Sequence, residues 1–301
     1  MNKDKNRDHK IKKSHMTAGV FKTLEIDNNS KHYTINTSRR QRKLLPLIIA
    51  ETLYENLAYN GIHFRTKHFW GMSFHPRNIS WWLAINFIIG SFLFSLASFY
   101  TMYNLPIDKW LNSNLGYIFF IGSIFFTIAA YLQYLEAINN GFDEKYDKFK
   151  FFKFSPKSIA YNISVTQLIG TILFNFNTWN SMQEYDGLLM NNIAIWVPDF
   201  VGSIFFLTSG CLAIIEVTHG KCAISFKNLS SWIVIINFLG CVFFQISSSA
   251  AVFLPKSINS NSAFTTYISN LTLLIGSVCF LLATYLLLPE LEETSNEHVA
   301  N

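Results

Sequence analysis

Three glutamates recur at a fixed distance from a repeated glycine motif, and they are the side chains whose spacing best suits chemistry. Glu136, Glu216 and Glu290 each lie fourteen residues after a motif glycine. That separation is close to four helical turns, about 21 Å, so each carboxylate shares a helix face with its glycine. Three carboxylates at one end of a helical bundle would form a cytoplasmic ring that attracts cations or closes a gate. Pairing with lysines such as Lys145 or Lys221 is the simpler alternative.

A second polar set lies on alternate apolar runs, at positions three before, five after and eight after the motif glycine. At 100° per residue these positions share an arc of roughly 80°. Such a stripe either hydrogen-bonds to neighbouring helices, at about 0.6 to 2 kcal/mol per contact, or lines a passage for a small polar solute. The candidate lining residues are Gln167, Asn175, Thr178, Asn237, Gln245 and Ser248.

The glycines belong to a motif that occurs once in each of six apolar runs. Each is followed by Ser, Thr or Cys, then by two apolar residues, then by Phe. A glycine beside another small residue lets two helix backbones approach closely, and a Phe four residues later covers the same face. We therefore interpret the motif as helix packing. Its glycines are Gly90, Gly122, Gly170, Gly202, Gly240 and Gly276.

Signatures of the common enzyme classes are missing from the sequence. There is no HExxH, GxSxG, Walker A loop or glycine-rich dinucleotide turn. All eight histidines lie outside the apolar runs, and the four cysteines have no metal-type spacing. We expect a protein that is not an enzyme, with no catalytic residue, no metal and no cofactor.

The elements that carry these residues are six apolar runs long enough to cross a bilayer. About 30 Å of hydrocarbon takes roughly 20 residues of helix. Half of the residues are hydrophobic and 14% are charged, against about 25% in a soluble domain. The sequence predicts an all-α polytopic membrane bundle over residues 81–289. Its spans are 81–102, 115–135, 159–178, 196–217, 232–254 and 264–288.

Two features divide the six spans into three parallel repeats of one two-helix hairpin. The even-numbered spans carry the glutamate fourteen residues after the glycine, and the odd-numbered spans carry a hydroxyl eight residues after it. Each hairpin then enters the membrane in the same sense. We expect the hairpins to form either a pseudo-threefold bundle or a row.

Lysine and arginine counts give the orientation. The segments on the N-terminal side of the membrane hold twenty-two of these residues, and the opposite connections hold only Lys109 and Lys256. Positively charged loops remain in the cytoplasm. Both termini are therefore predicted to be cytoplasmic, including the acidic tail over residues 290–301.

The N-terminal 80 residues divide into two parts. Residues 1–43 are basic and lack apolar periodicity, which predicts a disordered cytoplasmic tail. Within residues 44–80, Leu45, Ile49 and Leu53 share a helical face too short to span, which favours a short amphipathic helix and an elbow at the membrane surface. The expected partner of this +5 chain is the lipid bilayer, with no nucleic acid involved.

Two spans that each carry Gly-Ser-x-x-Phe resemble the YrhK-like domain family, small bacterial membrane proteins of unassigned activity. The stretch from Trp81 to Pro289 is also similar to uncharacterised bacterial multi-span proteins, through Trp81-Trp82, Pro198-Asp199 and Leu287-Leu288-Pro289-Glu290. This resemblance implies the bacterial inner membrane and supplies no reaction.

Two functional hypotheses follow. The first is a non-enzymatic structural or interaction module that forms a homo-oligomer through its small-residue faces. The alternative is a small-solute channel or facilitator, lined by the polar residues of spans 1, 3 and 5, whose small-molecule ligand the sequence does not identify. The alternative predicts that Asn175→Leu and Gln245→Leu abolish flux.

Overall fold

The computed structural model describes residues 15–17, 21–28, 31–36, 76, 78–103, 114–139, 149–218, 229–252 and 262–291. Within these ranges, six helices are long and apolar enough to cross a membrane. The predicted all-α bundle of six membrane-spanning helices is thereby confirmed. The helices are α1 (Ile79–Tyr103), α2 (Leu115–Ile138), α3 (Ile159–Asn180), α4 (Leu188–Thr218), α5 (Leu229–Ala250) and α6 (Ser262–Tyr285).

Helix α4 begins eight residues before the predicted span, because α3 supports its first turns. The stretch Asn192–Trp196 is a π-helical turn, followed by the α-helical stretch Val197–Thr218. Pro198 has no N–H, so the Ala194 carbonyl four residues earlier lacks its usual donor. The Asn180 side chain of α3 supplies that bond at 2.7 Å, which lets the helix continue through the proline.

The six helices form a closed ring in chain order. The most extensive contacts pair α1 with α2, α3 with α4 and α5 with α6. Further contacts join α2 to α3, α4 to α5 and, closing the ring, α6 to α1. The hairpins therefore surround a common axis and do not lie in a row. The chain continues as helix beyond α6, after a turn at Leu286, as far as Leu291.

The bundle axis is filled by the six motif phenylalanines, named here the phenylalanine core. Each is no more than 5% exposed. Odd and even helices run in opposite directions. The phenylalanine four residues after each glycine therefore lies on one side of the glycine level in the odd helices and on the other side in the even helices, so the rings form two layers. The odd layer is Phe94, Phe174 and Phe244, and the even layer is Phe126, Phe206 and Phe280.

Ring contacts join the phenylalanines within each layer and between the layers. In the odd layer the Phe244 ring centroid lies 6.2 Å from that of Phe94 and 5.7 Å from that of Phe174. In the even layer Phe280 lies 6.1 Å from both of its counterparts. Phe244 and Phe280 meet edge to face at 4.9 Å, a favourable aromatic geometry. The core therefore closes the axis at the level of the glycines.

Three short strands lie within the N-terminal region: β1 (His15–Thr17), β2 (Phe21–Asn28) and β3 (Lys31–Asn36). They form one antiparallel sheet in the order β1-β2-β3. The disordered tail expected over residues 1–43 stays a prediction for the residues outside these strands. Phe, Tyr, Ile and Thr favour strands, and strand pairing does not require the helical periodicity that the segment lacks. The amphipathic helix predicted within residues 44–80 falls mostly outside the described residues.

Candidate solute-binding cavity

The motif glycines lie where the two helices of each hairpin cross. A Cβ atom added to Gly90 would lie 3.0 Å from the Gly122 carbonyl oxygen, and one on Gly240 would lie 3.1 Å from that of Gly276. The third hairpin crossing is alike, with 3.1 Å between a Cβ on Gly170 and the Gly202 oxygen. All six glycines are thus used inside the chain, so a homo-oligomer would need another surface.

Much of the predicted polar stripe lies in the seams between hairpins. Asn175 of α3 donates a 2.8 Å hydrogen bond to Thr127 of α2. The hydroxyls of Thr178 and Ser123 lie 3.0 Å apart across the same seam. These side chains link neighbouring hairpins.

The seam between the second and third hairpins has similar bonds. Ser203 of α4 donates to the Oε1 atom of Gln245 at 3.0 Å. The Ser248 hydroxyl donates to the Phe244 carbonyl within α5, and its own carbonyl accepts from the Trp196 indole at 2.8 Å. Asn175, Thr178 and Gln245 therefore take part in interhelical bonds, and the lining role expected for them and for Ser248 stays a prediction.

The other two stripe residues, Gln167 and Asn237, line a cavity on the glutamate side of the phenylalanine core. Its volume is about 80 Å³, which is room for several water molecules. Its apolar lining includes the even phenylalanine layer and Phe87. Its polar lining consists of Ser80, Gln133, Glu136, Gln167, Ser209, Glu216, Asn237 and Thr284.

All three repeated glutamates are buried, and the lysine pairing weighed for them stays a prediction. Glu136 is 6% exposed, and Glu216 and Glu290 are 1% exposed. Glu136 and Glu216 line the cavity, whereas Glu290 lies outside its lining and accepts a hydrogen bond from Ser230. Two members of the predicted ring thus share one cavity. Lys145 and Lys221 are outside the described residues.

The cavity lies where the repeats differ in chemistry. Position three before the odd glycines holds Phe87, Gln167 and Asn237, and all three line the cavity. Position eleven after the even glycines holds Gln133 in α2, but apolar residues in α4 and α6. The backbone scaffold is repeated, whereas the polar groups that face the cavity differ from one hairpin to the next. An asymmetric polar lining suits an asymmetric ligand.

Sequence reasoning missed Ser80, Gln133, Ser209 and Thr284 as lining residues. They lie outside the odd-span stripe, and three of them are on even-numbered helices. One signal was available for Gln133, which precedes Glu136 by three residues and so shares its helix face. Nothing in the sequence distinguished Ser209 or Thr284 from other hydroxyls of the spans.

The charge and shape of the lining indicate what the cavity can hold. Among the described residues that line it there are two carboxylates, three amides and no Lys, Arg or His. The described part of the chain also contains no group of three His, Cys, Asp or Glu side chains arranged to hold a metal ion. Carboxylates beside aromatic faces attract organic cations. Comparison with family models, with curated proteins and with solved structures found no match.

Proposed function

We propose that this protein binds a small organic cation in its central cavity and acts as a non-enzymatic facilitator of the bacterial inner membrane. Both termini would then be cytoplasmic, and the cavity would face the cytoplasm. The observation that carries the proposal is the burial of Glu136 and Glu216 in one polar cavity inside a membrane bundle. Buried carboxylates are costly unless they are paired or hydrogen-bonded, and a pocket in which polar groups converge is the usual candidate for a binding site.

The cavity provides each kind of contact that a small ammonium compound needs. The two carboxylates supply negative charge, and the amides of Gln133 and Asn237 make no hydrogen bond to another described residue, so they are available to a ligand. The even phenylalanine layer provides ring faces for the apolar part of such a ligand. A basic side chain would have favoured an anion, and the described residues that line the cavity include none.

Passage across the membrane would require the phenylalanine core to part. Its even layer lines the cavity and its odd layer lies beyond, so this arrangement would be the closed state of the proposed facilitator. Ring rotation or a shift of one hairpin against its neighbours would open a path. The hydrogen bonds between adjacent hairpins would then be the contacts about which the hairpins move.

A structural or interaction module remains the second candidate. The observation in its favour is that most of the polar stripe bonds adjacent hairpins, as in Asn175 with Thr127. Such bonds are expected in any stable bundle, which is why the cavity is given more weight. Kinship with YrhK-like domains stays a prediction, and it does not choose between the two candidates.

The decisive experiment measures binding and flux of the purified full-length protein in liposomes. Methylammonium and tetramethylammonium are the cationic probes, and glycerol is the neutral one. We expect saturable binding of a cation that falls about tenfold or more in Glu136→Gln and Glu216→Gln. Glu184→Gln is the matched control, because Glu184 is exposed in the connection before α4.

Each result separates the candidates. Cation binding together with flux supports the facilitator, and binding without flux restricts the role to solute binding. Absence of binding for every probe, in a folded sample, would leave the structural module as the better account.

A further inference from the structure

The connection between α2 and α3 contains phenylalanines and lysines that face away from the protein. Phe152 and Phe154 are 81% and 83% exposed, the highest values among the large hydrophobic side chains that the structure describes. Lys150, Lys153 and Lys157 lie among them and are also exposed. We name residues 149–157 the aromatic-basic segment. Exposed aromatic side chains at this density need a partner.

The segment has a fixed backbone held against the end of α2. Asn139 donates to the Lys150 carbonyl and accepts from the Lys150 N–H, both at 2.8 Å. The Tyr134 hydroxyl accepts from the Lys153 N–H at 3.0 Å and donates to the Lys153 carbonyl at 3.1 Å. Two reciprocal pairs hold the backbone, so the exposed side chains are presented in a defined arrangement.

Ring contacts give the depth of the segment relative to the spans. The Phe152 ring centroid lies 6.4 Å from that of Tyr131, which is seven residues before the end of α2 at Ile138. Seven residues of helix correspond to about 10 Å. Phe154 lies 6.0 Å from Tyr161 in the first turn of α3. The segment therefore lies beside the ends of two spans, at the level where aromatic rings and lysines meet lipid headgroups.

We propose that the aromatic-basic segment binds anionic phospholipid headgroups at the glutamate end of the bundle. The phenylalanine rings would enter the boundary between headgroups and acyl chains, and the lysine ammonium groups would bind phosphates. Charge complementarity selects this occupant, because residues 149–157 contain three lysines and no acidic residue. The inference does not depend on solute binding in the cavity.

The test compares lipid enrichment around the full-length protein in mixed phosphatidylglycerol and phosphatidylcholine bilayers. We expect phosphatidylglycerol to be enriched about tenfold in the lipid retained on gentle extraction. The triple change Lys150→Gln, Lys153→Gln and Lys157→Gln should lower the enrichment several-fold, and the part that remains comes from the basic N-terminal residues, which the variant keeps. The matched control replaces the same lysines with arginine, which keeps the charges and should keep the enrichment.

A second variant tests the phenylalanines separately from the charges. In Phe152→Ser with Phe154→Ser, a spin label at position 155 should become more accessible to an aqueous relaxation agent and less accessible to oxygen. The side chains concerned are exposed, so the bundle should stay folded. Unchanged lipid enrichment in the glutamine variant, or a label already fully accessible to water in the parent protein, would overturn the proposal and favour a protein partner.

Discussion

Ser80 at the start of α1 donates a 2.7 Å hydrogen bond to the Glu136 carboxylate near the end of α2. The third hairpin repeats the relationship between Ser230 and Glu290. Both serines lie ten residues before their motif glycines, and the second hairpin has Ala160 at that position. This bond between a hydroxyl and a carboxylate is therefore present in the first and third hairpins, whereas the second hairpin has no hydroxyl at that position.

Ser80→Ala should destabilise the bundle by about 1 to 3 kcal/mol, because a buried carboxylate loses a donor. Thermal unfolding in detergent measures the change. Ser181→Ala is the control, since Ser181 is exposed after α3 and should change stability by less than about 0.5 kcal/mol. Equal effects in the two variants would show that the bond to Glu136 contributes nothing measurable.

Gly276→Ala should destabilise the third hairpin by about 1 to 3 kcal/mol through overpacking. The new Cβ would lie 2.5 Å from Phe244 and 3.1 Å from the Gly240 carbonyl oxygen, and the latter is backbone that cannot move aside. Unfolding in detergent again provides the measurement. At Gly116 the same change meets only the flexible Met182 side chain, so Gly116→Ala is the matched control and should cost less.

Phe244→Ala should have two effects because Phe244 contacts both layers of the phenylalanine core. Loss of its buried ring should cost about 3 to 5 kcal/mol of stability. The gap on the axis should also increase leakage of small solutes from proteoliposomes. Phe176→Ala serves as the control and should leave leakage unchanged, because the Phe176 side chain is 57% exposed on the outer surface of α3. A destabilised variant with no added leakage would show that the core does not close a path.

Asn175→Leu should leave solute flux unchanged, whereas the hypothesis of a channel lined by the polar stripe predicts that this substitution abolishes flux. The substitution removes the bond to Thr127 but also removes a buried Oδ1 atom that has no hydrogen-bond partner, so the net loss of stability should be small. Thr127→Val should cost more, because it leaves the Asn175 amide donor unpaired. A double-mutant cycle should give a coupling of about 0.6 kcal/mol. Abolished flux in a stable Asn175→Leu protein would restore the lining role.

The span count, the approximate span limits and the helical class could be read from the sequence because the bilayer imposes a simple rule on length and polarity. The largest difference at a span end was the start of α4, where Asn180 of another helix supplies the hydrogen bond that Pro198 removes. No local pattern contains that donor. The N-terminal strands pair locally, with Thr17 opposite Phe21 and Asn28 opposite Lys31, and a search for helical periodicity does not detect such hairpins.

The polar residues show most clearly what required tertiary structure. Periodicity placed Gln167, Asn175 and Gln245 on one face of their helices, but the same face can border a neighbouring helix or an open space. Which one occurs depends on the side of the glycine level on which the residue lies. Gln167, three residues before its glycine, is on the glutamate side, where the bundle encloses a cavity. Asn175 and Gln245, five residues after their glycines, are on the opposite side and bond across seams.

The sequence alone determined that six apolar helices carry one repeated packing motif, because that information lies within each span and its spacing. Only the tertiary structure decided that the hairpins close into a ring, that six phenylalanines fill its axis, and that Glu136 and Glu216 face the same cavity. Those facts depend on how distant helices meet. The free energy of such contacts comes from shape and hydrogen-bond geometry between residues far apart in the chain, which spacing within one span does not encode.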